Sequence, residues 1–268
     1  MPSLGIFTVA TNKYINYWQE MVQSFDHHVG KSWDCTFYVF TDNPLKAQNF
    51  QKSLANGSTV KSIGIDNLGW PDATILRFEL IESIVQNCTE DVLMHLDADM
   101  LVHSNFDKQF APEAWDSGVF LVAHPGFFWR YLQTLKKQNF IKRAFSKIKR
   151  YLPINLIIHP LGAWENRIES QAYVDPQSRI VYVCGATWGG KNSNFKELVS
   201  QLSNQTRTDR ENKIMAVWHD ESHLNKWASE NNFQLLNPNY CYAEQFSNNS
   251  SLEKIIQAVD KGENSTRE

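Results

Sequence analysis

Short apolar runs alternate with longer segments of helical spacing along the first hundred residues. Leu4–Ala10 reads as a buried strand, Tyr14–Phe25 as the helix after it, and Cys35–Phe40 as a second strand closed by the turn residues Asp42-Asn43-Pro44. Val60–Ile65 reads as a third strand, Ala73–Gln86 has helical spacing, and Val92–Leu96 is a central strand. Farther on, Ile180–Val183 is a short strand running into Gly185-Ala186-Thr187-Trp188-Gly189-Gly190. Asn194–Leu202 is a helix, and Ile214–Trp218 leads into a polar run from His219 to Lys226. This alternation predicts a single-domain α/β fold of Rossmann-like type. Its sheet is mostly parallel, twisted and flanked by helices, and ligands sit outside the carboxyl ends of the strands.

The central strand ends in Asp97-Ala98-Asp99. In an extended segment residues i and i+2 project to the same side, so both carboxylates face one hard cation at a strand's carboxyl end. Oxygen ligands suit Mg²⁺ or Mn²⁺, which bind through one or two protein carboxylates plus substrate phosphates. His219 and His223 suggest zinc on one helical face. A zincin, however, places Glu directly after the first His, whereas here Asp220 intervenes and Glu221 comes second.

Composition narrows the function classes. A formal charge of −3 over 268 residues argues against general affinity for nucleic acid. Cys35, Cys88, Cys184 and Cys241 lack the paired spacing of a zinc knuckle or disulfide framework, so reduced thiols are expected. The chain opens with no basic-then-apolar leader and contains no apolar stretch near the ~20 residues needed to cross a bilayer, so the expectation is a cytoplasmic, soluble protein. From Ser117 to Trp164 there is no Asp or Glu, while Arg130, Lys136, Lys137, Lys142, Arg143, Lys147, Lys149 and Arg150 accumulate, with Ile141, Phe145, Ile148 and Leu152 recurring at helical spacing among them. This basic amphipathic segment suits peripheral contact with an anionic membrane through residues 130–150, or a lid over the acceptor. From Gln245 onward the chain is polar and reads as a mobile tail.

Four features need one explanation: the acidic pair, His124-Pro125-Gly126-Phe127-Phe128, the glycine-rich stretch from Cys184, and the run from Trp218 to Lys226. Together they resemble the retaining glycosyltransferases of family 6, the group of the histo-blood-group A and B transferases and the α-1,3-galactosyltransferases. Tyr38-Val39-Phe40-Thr41-Asp42, Ser170-Gln171-Ala172-Tyr173 and Asn237-Pro238-Asn239-Tyr240 support the resemblance, which covers nearly the whole chain.

The resemblance implies a GT-A-type fold with a catalytic domain over residues 1–244. Residues 1–128 then mainly bind UDP, 161–244 bind the donor sugar and acceptor, 130–160 form a basic helical insertion, and 245–268 form the tail. It implies a retaining hexosyltransferase that moves Gal or GalNAc from UDP-Gal or UDP-GalNAc, in α-1,3 linkage, to an oligosaccharide acceptor with terminal galactose. By this resemblance Mn²⁺, with Mg²⁺ as a substitute, binds Asp97 and Asp99. The donor contacts Val9, Ala10, Thr11, Tyr14, Ala98, His219, Asp220, Lys261 and Arg267, together with the donor-selecting triplet Cys184, Gly185 and Ala186. Arg77 reaches the donor sugar and the acidic pair, Glu221 is the catalytic carboxylate, and His124 and Trp218 join Glu221 in holding the acceptor. An acidic acceptor-binding position of the family falls on Ala243, with Glu244 adjacent. Many bacterial members carry Asn-x-Asn and work without metal; retention of both acids implies a soluble, metal-dependent member of bacterial or phage type. The alternative is a catalytically silent sugar-nucleotide or glycan-binding protein on the same fold.

Overall fold

The computed structural model describes residues 1–106, 108–128, 161–246 and 253–260. The apolar runs become the middle of one seven-stranded sheet. Strand β1 (Ser3–Val9) pairs in parallel with β2 (Asp34–Thr41), from Ser3 opposite Asp34 to Val9 opposite Phe40, and β2 pairs in parallel with β3 (Thr59–Gly64). On the other side β1 is parallel to β4 (Val92–Leu96), with Phe7 opposite His95. A short β5 (Met100–Val102) follows, then β6 (Val119–Ala123), β7 (Val183–Lys191) and β8 (Gln234–Leu236). The order across the sheet is β3-β2-β1-β4-β7-β6-β8, with β7 antiparallel to both neighbours and β6 parallel to β8. Four of the six pairings are therefore parallel, as the alternation predicts for this α/β fold.

Helix α1 (Tyr14–His28) covers one face, burying Trp18, Met21, Val22 and Phe25 against Ile6, Phe37 and Met94. The other face carries α4 (Arg77–Val85), α5 (Asn192–Glu211) and α6 (His219–Glu230), whose apolar sides pack on Phe7, Leu93, Leu121 and Trp188. Each fully buried Leu, Val or Phe contributes about 1.5–3 kcal/mol, so these two layers hold the strand ends in place beneath the polar residues that follow them.

Several elements depart from the sequence reading. The turn residues after β2 begin a helix, α2 (Pro44–Phe50): Asn43 caps it by accepting the Lys46 amide at 3.2 Å, and Pro44 occupies its first turn. The single helix expected over Ala73–Gln86 is two, α3 (Asp72–Ile75) and α4, broken at Leu76. The expected strand Ile180–Val183 begins only at Val183 and runs straight through the glycine-rich stretch. A Cβ on Gly189 would lie 2.5 Å from the Leu93 carbonyl oxygen, and one on Gly190 2.5 Å from that of Gly118, so glycine here permits close strand packing rather than a loop. The polar tail contains β9 (Ile256–Ala258), antiparallel to β5, with Ile255 and Ile256 buried. The basic segment 130–160, Lys261 and Arg267 lie outside the described residues.

Candidate active site

Asp97, Ala98 and Asp99 form a turn between β4 and β5 rather than a continued strand. Ala98 is buried, while Asp97 and Asp99 are both partly exposed. The turn is anchored at both ends, because the Asp97 amide donates to the Ala186 carbonyl at 3.0 Å and the Val259 amide donates to that of Asp99 at 2.8 Å. The tail strand thus fastens the acidic pair. Val9 lies two residues beyond the Phe7–His95 pair, on the same edge as Asp97, and Thr8 Oγ1 bonds the Leu96 carbonyl at 2.9 Å. Ala10 and Thr11 follow as buried residues, with Thr11 Oγ1 donating to the Leu68 carbonyl at 2.8 Å; Tyr14 opens α1 and is partly exposed.

Arg77 joins the halves of the site. The break at Leu76 makes it the first residue of α4, where it is buried. Its Nη2 donates to Asp97 Oδ1 at 2.7 Å, and its Nη1 donates to Asp220 Oδ2 at 2.7 Å and to the Gly185 carbonyl at 3.1 Å. His95 Nε2 lies 3.1 Å from the same Asp97 oxygen. Burial, then the charge of Arg77, lowers His95 to about 4, so a neutral ring donates its Nε2–H to the carboxylate. Sequence reasoning missed His95; its signal was a lone histidine in an apolar strand two residues before an aspartate.

Asp220 and Glu221 project from the first turn of α6. The Gly185 amide donates to Glu221 Oε2 at 2.8 Å, and a Cβ on Gly185 would lie 3.1 Å from Glu221 Cβ and 3.5 Å from Asp220 Oδ2. Burial raises Glu221 to about 7, against the Gly185 amide and the Tyr182 hydroxyl, which favour its ionised form. Asp220 is raised by burial to about 6, opposed by Arg77. Asn225, in the run from Trp218 but given no role from sequence, bolts α6 to β7: it accepts the Val183 amide at 2.8 Å and donates to the Val183 carbonyl at 2.9 Å.

The remaining expected residues fall around this centre. Trp218 is 47% exposed, and His219 sets its ring edge-on to Trp70 at 5.2 Å. His124 accepts the Gly126 amide on Nδ1 at 3.0 Å, and burial lowers it to about 4. A neutral ring that accepts on Nδ1 carries its proton on Nε2, as a donor. Cys184 is only 4% exposed and packs among Tyr240 and Cys241, whereas Ala186 is partly exposed. Glu244, beside Ala243, pairs with Lys254. His223 faces Asp209, Nε2 to Oδ2 3.6 Å, away from the Trp70 contact of His219.

Asp97 and Asp99 suit a hard cation. Among the described residues no three His, Cys, Asp or Glu side chains are grouped to hold a metal ion. Two partly exposed carboxylates, completed by water and phosphate oxygens, are a donor set that Mg²⁺ and Mn²⁺ use.

Comparison with known proteins identifies the family. The family model described as Glycosyltransferase family 6 matches residues 2–153 and 161–268. The chain is 25% identical over 262 residues to histo-blood group ABO system transferase 2 of Rattus norvegicus, covering 96% of this chain and 68% of that protein. It is 24% identical over 265 residues to globoside alpha-1,3-N-acetylgalactosaminyltransferase 1 of Homo sapiens, covering 97% and 67%. It is also 24% identical over 259 residues to the O-antigen biosynthesis glycosyltransferase WbnI of Escherichia coli, covering 96% and 95%. The chain spans about two thirds of the length of the mammalian relatives and nearly all of the bacterial one. Among the described residues no helix is long and apolar enough to cross a membrane. With its seven-stranded GT-A-like sheet and a family match along nearly its whole length, the chain belongs to glycosyltransferase family 6 and is a glycosyltransferase.

Proposed function

We propose that the protein transfers Gal or GalNAc from the corresponding UDP-sugar, with retention and in α-1,3 linkage, to a glycan ending in galactose, with Mn²⁺ held by Asp97 and Asp99. The observation that carries this reading is Arg77, whose two 2.7 Å bonds join the carboxylate at the diphosphate end, Asp97, to Asp220, the neighbour of Glu221. When bound, the cation supplies positive charge to the departing diphosphate. Arg77 holds Asp97 and Asp220 in place. Glu221 meets the positive charge that develops at C1, either by attack or by electrostatic stabilisation, while the acceptor enters from the leaving face. His124 offers its Nε2–H to an acceptor oxygen, and Trp218 gives the sugar an apolar surface.

The direct test is UDP release from UDP-Gal and UDP-GalNAc, with and without a galactose-terminated acceptor and with Mn²⁺ added or chelated. Acceptor-stimulated release with Mn²⁺ is expected. Binding of UDP-sugar without turnover would instead identify a silent binding protein.

Donor choice depends on volume beside the triplet. Enlarging Cys184 to Met pushes on Tyr240 and Cys241 and narrows the space that an acetamido group needs. The turnover ratio should therefore shift toward Gal by about 1–3 kcal/mol, a preference rather than exclusivity. An unchanged ratio in competition assays would move selectivity away from this strand.

Acid should switch the enzyme off. Burial raises Glu221 to about 7 and Asp220 to about 6, and both act as carboxylates, Glu221 toward C1 and Asp220 toward Arg77. The rate at saturating substrate is expected to fall as pH drops through that window and to level off above it. A flat profile from about pH 5 to about pH 8 would contradict an ionised Glu221.

A further inference from the structure

The segment that delivers Trp218, Asp220 and Glu221 to the site runs between two non-glycine residues in the left-handed region, Lys213 with φ 58° and His219 with φ 48°. Such residues cost on the order of 1–3 kcal/mol each and persist only where their surroundings enforce them. Apolar packing supplies little of that enforcement. Met215 and Val217 are each 50% exposed, and Met215, Ala216 and His219 form a shared wall between two cavities of about 430 and 220 Å³.

Polar contacts hold the segment instead. At its ends the Ile214 amide donates to the Asp209 carbonyl at 2.8 Å and the Trp218 amide to Ser222 Oγ at 3.0 Å. Its middle is gripped by two residues of another loop. Glu165, 2% exposed, accepts the Val217 amide at 2.9 Å, and Arg167 Nη2 donates to the Met215 carbonyl at 2.5 Å. Arg167 also donates to Glu165, from its amide at 2.9 Å, Nε at 3.0 Å and Nη2 at 2.6 Å. That loop is itself tied to the end of α5, where the buried Asp209 carboxylate accepts Ser170 Oγ at 2.5 Å and the Gln171 amide at 2.7 Å. Burial pushes the Glu165 carboxyl up, but the Arg167 side chain and the amides of Arg167 and Val217 outweigh it and bring it to about 2, so the grip persists at any working pH.

We propose that Glu165 and Arg167 are positioning residues for glycosyl transfer: their clasp on Met215 and Val217 sets where Trp218, Asp220 and Glu221 stand. The proposal rests on the roles given to Glu221 and Trp218 above. A misplacement of about an ångström at a reacting group costs up to about a hundredfold in rate, so a loosened clasp is felt at the chemistry without any change in the residues that touch substrate.

The test compares Glu165→Ala, Arg167→Ala and Arg167→Lys with the unmodified chain. Hydrogen exchange over residues 214–219 is expected to rise about tenfold in the two alanine variants, with exchange in β4 and α1 unchanged. The rate should fall about tenfold or more and the acceptor KM should rise, while the UDP-sugar KM changes less than the acceptor KM because Asp97 and Asp99 are held from other elements and Arg77 keeps its bond to Asp97. Arg167 is half-exposed, so added guanidinium should restore part of the rate in Arg167→Ala, and Arg167→Lys should fall between that variant and the unmodified chain. Unchanged exchange over 214–219 overturns the proposal. So does loss of stability, donor affinity and acceptor affinity in parallel, which marks a purely structural pair. If Glu165→Ala does not fold, Arg167→Ala with guanidinium rescue decides alone. Glu221→Gln, assayed beside them, separates the two readings: full activity there defeats the role of Glu221, while local exchange still judges the clasp.

Discussion

Replacing Glu221 with Gln is expected to lower the rate of transfer by about 10²- to 10³-fold, the loss of about 3–4 kcal/mol that follows when one aimed electrostatic stabiliser is removed. The amide is the same size, and its oxygen can still accept the Gly185 amide that now bonds Glu221 Oε2 at 2.8 Å, so the site keeps its shape and loses only charge. Stability should move the other way. The folded carboxyl is raised by burial to about 7, above its ordinary range. The stability it contributes is present below the unfolded pKa and is lost as pH rises through the folded value. Gln has no such loss, so the melting temperature of Glu221→Gln at about pH 8 should equal or exceed that of the parent. Steady-state rates, calorimetric UDP affinity and thermal melts check the three parts. Near-parental turnover with UDP affinity retained would refute the mechanism.

Loss of the acidic pair should cost at least as much. Chelation with EDTA is expected to abolish transfer, Mn²⁺ to restore it, and Asp99→Asn to reduce it by orders of magnitude with weakened UDP-sugar binding. Asp99→Asn is the cleaner substitution, because Asp97 has a second duty. Its Oδ1 holds Arg77 at 2.7 Å and meets His95 at 3.1 Å. Asp97→Asn therefore weakens a buried guanidinium's pairing as well as a cation site, and removing one partner of a fully buried pair costs about 3–5 kcal/mol. The retained Asp220 bond and the 30% exposure of the Asp97 side chain keep the cost here below that bound. A larger drop in melting temperature is expected for Asp97→Asn than for Asp99→Asn, because Arg77 is drawn more strongly to Asp97 than to Asp99. Full activity in excess EDTA would end the metal assignment.

Much of the architecture was legible because it is local. Val92–Leu96 is a strand in both readings, and the burial of Leu4, Ile6 and Phe7 in β1 follows from an apolar run that only a covered strand can hide. The helical spacing from Tyr14 becomes α1, with Ile15, Trp18, Met21, Val22 and Phe25 buried on one side. The position of Asp97 and Asp99 at a strand's carboxyl end was likewise readable, since polar residues directly after a buried strand have nowhere to go but the sheet's rim.

Other features depended on segments far apart in sequence. No periodicity announces that Arg77, not its helical neighbours, turns inward to bind an aspartate 143 positions away, and the break at Leu76 that allows it is visible only once α3 and α4 are seen apart. The sequence ends the strand at Val183 before the glycine-rich stretch, yet Leu93 and Gly118 press so close to Gly189 and Gly190 that a strand without side chains there is what fits. Cys184, a donor-selecting position by the resemblance, is 4% exposed beside Tyr240 and Cys241, a packing that strand β7 sets and its own spacing does not announce. Ile256–Ala258, polar in its setting, becomes a strand because β5 offers it an unpaired edge. Hydrophobic spacing reports whether a residue faces the core of its own element. Which distant backbone or charge it meets there is decided only when the sheet order brings the chain's ends and middle to the same rim.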